Sequence, residues 1–198
     1  MDKPLVRSVF FDWDRTLAYT KSSPEGMAAH LARMFGIAGL PYAEEQIEAA
    51  LRHYAAEAGP EKVQEFKEAQ TRRDICRFYA QLLTRLGHDD TSWEQLVAIY
   101  RAYARLPWVL YDDSRAALEA VLDQGFIVGI LSNTSVTARQ FITQLVGDLV
   151  PAQHIIISEE LGVHKPAKTI FIRAAARLRT PPENCLMVGD NLAVDAVG

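Results

Sequence analysis

The sequence predicts an α/β protein with a doubly wound parallel sheet and an inserted helical domain. Short apolar segments recur along the chain, helical patterns separate the later ones, and a long stretch without strand patterns follows the first. Apolar residues make up 49% of the 198 residues and charged residues 23%. This is the balance of a globular protein that is long enough for one core and a smaller insert.

Four apolar segments have the length and composition of strands. They are rich in β-branched or aromatic residues and are bounded by polar or turn-forming residues. Because they are almost continuously apolar, we expect strands that are covered on both faces, as in a parallel sheet. The segments are LVRSVFF (5–11), FIVGILS (126–132), HIIIS (154–158) and CLMVG (185–189).

Helical patterns fall into two groups. Those of the first group separate the later strands, at 113–125, 135–146 and 167–178. Those of the second follow the first strand without any strand between them, and proline and glycine punctuate them as helix ends. They cover 24–36, 41–59, 60–87 and 91–106. We therefore assign 1–18 and 108–198 to a Rossmann-like core and 19–107 to a helical insert.

Composition excludes several classes of protein. The formal net charge of −4 argues against a nucleic-acid-binding protein, which needs a basic surface. No apolar segment approaches the roughly 18–20 residues of a membrane span, and the N-terminal segment does not resemble a signal peptide. Cys76 and Cys185 are far apart and match no zinc spacing, so we expect reduced thiols in a cytoplasmic protein.

Polar side chains follow each of the four predicted strands. Each short motif alone is typical of a turn or a helix cap. The carboxyl ends of parallel strands meet at one edge of a sheet, where ligands bind, so four such motifs together indicate a site. Asp12, Asp14 and Thr16 follow the first strand, Ser132 and Asn133 the second, Lys165 the third, and Asp190 and Asp195 the fourth.

The residue types favour phosphoryl chemistry. Carboxylates held close together repel one another unless a cation neutralises them, and Mg²⁺ prefers carboxylate oxygens and phosphate. Asp12 and Asp190 could reach such an ion, while Ser132 and Lys165 would hold phosphate oxygens. Asp12 is then a competent nucleophile toward phosphorus, and Asp14 could protonate the leaving oxygen and later activate water.

DWDRT, SNT, KP and GDNLAVD, in this order, resemble the four motifs of the haloacid dehalogenase-like (HAD) hydrolase superfamily. The helical insert resembles the cap of that superfamily. The resemblance implies a Mg²⁺-dependent phosphatase that acts on a small phosphorylated metabolite through an aspartyl-phosphate on Asp12. It implies that Asp12, the main-chain carbonyl of Asp14 and Asp190 hold the metal, that Asn133 lies at the phosphate with Ser132 and Lys165, and that Thr16 and Asp195 support the site. We expect a monomer or a homodimer.

The sequence departs from the family pattern in three places. Arg15 stands where the family often has glycine. Its side chain could line the pocket or face solvent, and we expect it to face solvent. Ala167 and Lys168 follow the KP pair, where an acidic or small polar residue is common, and we expect little consequence. The sequence ends at Gly198, where the family often adds a further strand, so we expect either further sequence or an exposed edge at CLMVG. We expect His164 to be a bystander.

Other functions stay open to different degrees. A phosphomutase shares every core motif and is the main alternative. A dehalogenase needs no metal and normally lacks the second aspartate, so Asp14 argues against it. A phosphonate-cleaving enzyme would use a cap lysine, and no lysine of the insert has a convincing context. A catalytically silent relative would be expected to lose the nucleophile or the metal aspartate, and a receiver-type signalling domain would lack the insert.

Overall fold

The computed structural model of the protein describes residues 5–20, 26–68 and 71–195. The chain divides into two compact units, Met1–Tyr19 together with Trp108–Gly198, and Thr20–Pro107. We call the first the core unit and the second the insert unit. Within the described residues, no helix combines the length and the apolarity that a membrane span requires.

The strands form two sheets. In chain order the strands are β1 (Ser8–Phe11), β2 (Ala18–Thr20), β3 (Trp108–Leu110), β4 (Ile127–Ser132), β5 (Ile155–Ile157) and β6 (Cys185–Val188). Four of them form a parallel sheet in the order β5-β4-β1-β6, and β2 pairs with β3. The four strands of the parallel sheet fall within the four predicted segments, so the predicted α/β fold with a parallel sheet is confirmed.

The helices separate into the same two units. Those of the insert unit are α1 (Met27–Ile37), α2 (Glu44–Glu68), α3 (Arg72–Arg85) and α4 (Trp93–Ala102). Those of the core unit are α5 (Ser114–Asp123), α6 (Ala138–Val146), α7 (Ser158–Leu161), α8 (Lys168–Arg177) and α9 (Leu192–Asp195). Helix α5 precedes β4, α6 lies between β4 and β5, and α7 and α8 lie between β5 and β6, as the alternating pattern predicts.

The strand order positions the site. The chain runs outward from β1 to β4 and β5 and then returns to pair β6 with the other side of β1. Phe11, the last residue of β1, is in register with Ile130 on one side and Val188 on the other. The direction of winding therefore reverses beside β1, and such a switch point is where doubly wound sheets bind ligands.

Burial explains why the strand segments are continuously apolar. Every residue of β1 and β5 is buried, as are five of the six residues of β4. Phe10 packs with Leu131, Ile156 and residues of α8 in one cluster. Strand β6 differs, because it is the edge of the described sheet, and Leu186 is 49% exposed. An apolar edge at this segment was one of the outcomes expected from the sequence.

The insert unit has its own core. Phe35, Ile47, Leu82, Leu83 and Ile99 come from all four of its helices and have no exposed surface. Burying a side chain of this size contributes about 1.5–3 kcal/mol relative to leaving it exposed. The four helices are therefore held together by one shared apolar cluster, with each helix contributing at least one fully buried side chain.

One helix of the insert and one pair of strands differ from the prediction. A single helix over 60–87 was wrong, because Thr71 is extended and its side chain accepts a hydrogen bond from the Asp74 backbone N–H, which begins a separate helix α3. The expected break after 59 is present, because Gly59 has φ 79° and interrupts α2 as a kink. The strand pair β2–β3 was not predicted.

Candidate active site

The loop that follows β1 is a tight turn that places Asp12 at the end of the central strand. The Asp12 N–H donates to the Val188 carbonyl of β6 at 2.8 Å, so Asp12 is still tied to the sheet. Its carboxylate accepts a hydrogen bond from the Trp13 N–H at 2.7 Å. Trp13 is 1% exposed and packs beside Trp108, which anchors the start of the loop in the core unit.

The turn itself requires an unusual backbone conformation at Arg15. Its φ is 61°, in the left-handed region that favours glycine. The Arg15 N–H donates to the Ala18 carbonyl at 2.7 Å, and Asp14 forms an isolated bridge with Ala18. The loop therefore folds back on itself, and Asp14 and Thr16 lie on the same short turn as Asp12.

Lys165 is a buried cation between two carboxylates. Its Nζ lies 2.9 Å from Asp12 Oδ1 and 2.6 Å from Asp195 Oδ1, and its side chain is 1% exposed. An ammonium group with so little exposed surface is stable only where carboxylates compensate the lost hydration. Lys165 therefore joins the end of β1 to the segment after β6.

Asn133 fixes the backbone of Lys165. Its side-chain Nδ2 donates to the Lys165 carbonyl at 2.9 Å, and its Oδ1 accepts from the Lys165 N–H at 2.8 Å. This contact was not predicted, because nothing in the sequence indicates that the residue after Ser132 reaches the loop of Lys165. The phosphate-binding role of Asn133 stays a prediction, and Ser132 is buried at the end of β4 beside it.

Three carboxylates meet at the same edge. One oxygen each of Asp12, Asp190 and Asp195 lie within 4.8 Å of one another. Asp195 accepts the Lys165 ammonium on one oxygen and the Asn191 N–H on the other, at 3.2 Å. Asp190 Oδ2 lies 3.4 Å from Arg15 Nε. This oxygen-only donor set fits a hard cation such as Mg²⁺ and not a metal that prefers thiolate or imidazole.

Electrostatics at Asp12 reflect its burial. Desolvation raises the pKa of Asp12 to about 6, the nearby Lys165 ammonium opposes this rise, and the negative charge of Asp195 adds to it. Asp12 is thus ionised at neutral pH, but its charge is costly, and any further cation at the site would favour the ionised form. A perturbed carboxyl group at a strand end is typical of a functional site.

The structure places the predicted residues as follows. The contacts above join Asp12, Asn133, Lys165 and Asp195, and Asp190 lies within 4.8 Å of Asp12 and Asp195. Ser132 is adjacent to Asn133 in the chain, and Asp14 and Thr16 follow Asp12 in the same loop. Thr16 Oγ1 is buried and has no hydrogen-bond partner among the described residues. The sequence did not indicate the contact of Arg15 with Asp190. Arg15 combines the two positions considered from the sequence, because 64% of its side chain is accessible and its Nε also contacts a carboxylate of the site.

The fold and the site together define a class: a doubly wound α/β protein that gathers carboxylates and a buried lysine at the carboxyl edge of its sheet. Comparison with known proteins identifies the family. The family model for haloacid dehalogenase-like hydrolases matches residues 6–198, and the chain belongs to this family. The finding confirms the predicted HAD-like hydrolase.

Several relatives of the chain are phosphatases. Glyceraldehyde 3-phosphate phosphatase of Methanopyrus kandleri is 30% identical over 200 residues, which cover 98% of this chain and 79% of the relative. Phosphoserine phosphatase of Thermus thermophilus is 29% identical over 151 residues, which cover 75% of this chain and 54% of the relative. The solved structure of a putative HAD-hydrolase of Bacillus subtilis bound to magnesium resembles this chain with a TM-score of 0.63 at 20% identity. The match covers 96% of this chain and 82% of the solved chain, and it supports the fold alone.

Proposed function

We propose that the protein is a Mg²⁺-dependent phosphatase that hydrolyses a small phosphate monoester through an aspartyl-phosphate on Asp12. The observation that carries the proposal is the Asp12 carboxylate at the end of the central strand, 2.9 Å from the buried Lys165 ammonium and clustered with Asp190 and Asp195. The phosphatase relatives act, by their names, on small phosphorylated metabolites, which supports the same substrate class.

Asp12 is the proposed nucleophile. Its carboxylate oxygen attacks phosphorus, an acyl phosphate bond forms, and the bond from phosphorus to the ester oxygen breaks. Asp14 donates a proton to the leaving oxygen and then removes one from water. The water oxygen attacks phosphorus, the acyl phosphate bond breaks, and inorganic phosphate and free Asp12 are restored.

Lys165 would act on charge and position. Its ammonium already compensates Asp12 in the structure, and it can donate to a phosphate oxygen from the same place. Ser132 and Asn133, at the end of β4, are proposed to lie at the phosphate with it. Asp195 and the Asn133 side chain hold Lys165 in place by its two ends, the ammonium and the backbone.

A metal would be held by Asp12, Asp190 and the main-chain carbonyl of Asp14, with Asp195 and Thr16 in support. When bound, Mg²⁺ supplies positive charge to the phosphoryl oxygens. We also propose that the insert unit, Thr20–Pro107, is a cap that selects the substrate, as the resemblance to the family implies.

Hydrolysis of an aryl phosphate tests the proposal. The wild-type protein should hydrolyse the aryl phosphate in the presence of Mg²⁺, lose this activity in EDTA and regain it when Mg²⁺ is restored. Asp12→Asn should reduce turnover to background, whereas the control Asp123→Asn, which changes an exposed aspartate at the end of α5, should leave it unchanged. Asp14→Asn should lower kcat by about 10²–10⁴-fold on an alkyl phosphate and less on an aryl phosphate, whose leaving group needs less protonation.

Trapping of the intermediate separates a phosphatase from the phosphomutase alternative. When the reaction is quenched with acid early, mass spectrometry should find a phosphoryl group on the peptide that contains Asp12. When it is quenched only after the substrate is used up, that group should be gone and inorganic phosphate should have been released. Transfer of that group to a second hydroxyl of the substrate, without net release, would indicate a mutase. Metal-dependent turnover that survives Asp12→Asn would contradict the proposed nucleophile.

A further inference from the structure

Arg15 contacts the site from an unusual position. Its backbone has φ 61°, a conformation that residues other than glycine adopt only at some cost in free energy. The Arg15 side chain is 64% exposed, yet its Nε lies 3.4 Å from Asp190 Oδ2. A cation is therefore held in a glycine-favouring turn with its charge beside one carboxylate of the cluster.

The two cations of the site serve different carboxylates. Lys165 contacts Asp12 and Asp195, and both contacts are buried. The cationic partner that the described part of the chain gives Asp190 is Arg15, and 27% of the Asp190 side chain is exposed. Asp190 thus already has a positive group beside the carboxylate that the proposed metal site requires.

We infer that Arg15 is a positioning residue that holds Asp190 and competes with Mg²⁺ for it; the inference rests on the proposed function. A metal bound to Asp190 would lie about 2.0–2.1 Å from a carboxylate oxygen. The guanidinium would then share that carboxylate with a second, divalent cation, so it moves away when Mg²⁺ binds or repels the bound ion. Either way, Arg15 weakens the binding of Mg²⁺ to the site without substrate.

The expected size of the effect is modest because the pair is exposed. Exposed ion pairs are weak and screened, and loss of the Arg15 contact corresponds to a change of about two- to fivefold in the dissociation constant of Mg²⁺. High salt should reduce the difference, because screening weakens both the contact and the repulsion. If the Arg15 contact only stabilised the fold, its removal would not make Mg²⁺ bind more tightly.

Calorimetric titration with Mg²⁺ alone, without any phosphate, tests the inference on the full chain. Arg15→Gln is shorter than arginine but keeps a polar, non-glycine side chain in the turn with φ 61°, and it removes the charge. It should therefore bind Mg²⁺ about two- to fivefold more tightly than wild type. Arg15→Lys keeps the charge and should stay close to wild type. Arg179→Gln is the matched control, because Arg179 is also exposed, lies in the core unit and has φ 53°.

The outcomes separate this inference from the proposed function. Equal or weaker Mg²⁺ binding by Arg15→Gln, or the same gain in Arg179→Gln, would overturn the role of Arg15 while leaving the proposed function intact. If wild type binds no Mg²⁺ and Asp190→Asn changes nothing, the metal site itself is wrong, and the inference falls with it. Tighter binding in Arg15→Gln that is lost in Arg15→Gln/Asp190→Asn supports competition at Asp190.

Discussion

Replacing Lys165 by methionine removes the cation that two carboxylates share. The Lys165 ammonium lies 2.9 Å from Asp12 Oδ1 and 2.6 Å from Asp195 Oδ1, and its side chain is 1% exposed. Methionine is flexible, unbranched and uncharged, so it can fill much of the same space. The change is therefore mainly electrostatic, and it leaves Asp12 and Asp195 without their shared counter-charge.

The size of the effect follows from burial. Removing one partner of a buried ion pair typically lowers the free energy of unfolding by about 3–5 kcal/mol, because the other charge stays buried and unpaired. Burial already raises the pKa of Asp12 to about 6 while Lys165 opposes the rise, so the pKa is higher still in the variant. A raised pKa means that stability is lost as the pH rises through it, so the loss should be smaller at low pH.

Urea unfolding followed by circular dichroism at about pH 8 and about pH 5 measures this loss. Lys165→Met should lose about 3–5 kcal/mol at the higher pH and clearly less at the lower one. Lys168→Met is the control, because Lys168 is exposed three residues along the chain, and it should change stability by less than about 0.5 kcal/mol. A loss that does not depend on pH, or one no larger than that of the control, would refute the reasoning.

Three further perturbations test other parts of the molecule. Gly189→Ala places a methyl group where the Asp195 carboxylate lies, so we expect a loss of about 1–3 kcal/mol in urea unfolding and weaker Mg²⁺ binding by calorimetry; unchanged values would contradict the close packing. Gly36→Ala meets open space in α1 and should stabilise the protein by about 0.5–1 kcal/mol in the same urea assay, where a lower midpoint would be the contrary result. Burial, with the charge of Arg33, lowers the pKa of His30, so its NMR titration midpoint should fall below the ordinary value of about 6.5. The free energy of unfolding should then decrease as the pH falls below about 6.5 and through the lowered pKa of folded His30. His30→Gln should remove this dependence on pH.

Three of the four strands of the parallel sheet could be predicted because they are almost fully buried, whereas the edge strand β6 was marked only by its apolar composition. Residues such as Phe10 and Ile130 are buried, and such sites demand apolar side chains whatever the details of packing. The meeting of Asp12, Lys165 and Asp190 was also predictable, because chain order and the parallel arrangement bring the strand ends to one edge. The apolar pattern of the strands and their order in the sheet are therefore enough to predict the parallel sheet and the edge where these residues meet.

Other features depend on contacts that leave no pattern in the sequence. Strands β2 and β3 have three residues each, which is too short for a periodic signal, and they exist because they pair across nearly 90 residues of chain. The start of α3 depends on one hydrogen bond from Asp74 to Thr71 inside a stretch that reads as helical. The contact of Arg15 with Asp190 depends on a left-handed backbone that arginine does not suggest.

The paired hydrogen bonds between Asn133 and Lys165 have a further consequence. A side-chain amide here does what a neighbouring strand does in a ladder, since it offers one donor and one acceptor to a single backbone residue. The position of the Lys165 backbone is therefore set by its hydrogen bonds to Asn133 at the end of β4, and not only by the chain that leads from α7. The Asn133 side chain therefore fixes the backbone from which the Lys165 side chain extends, while Asp12 and Asp195 hold its ammonium.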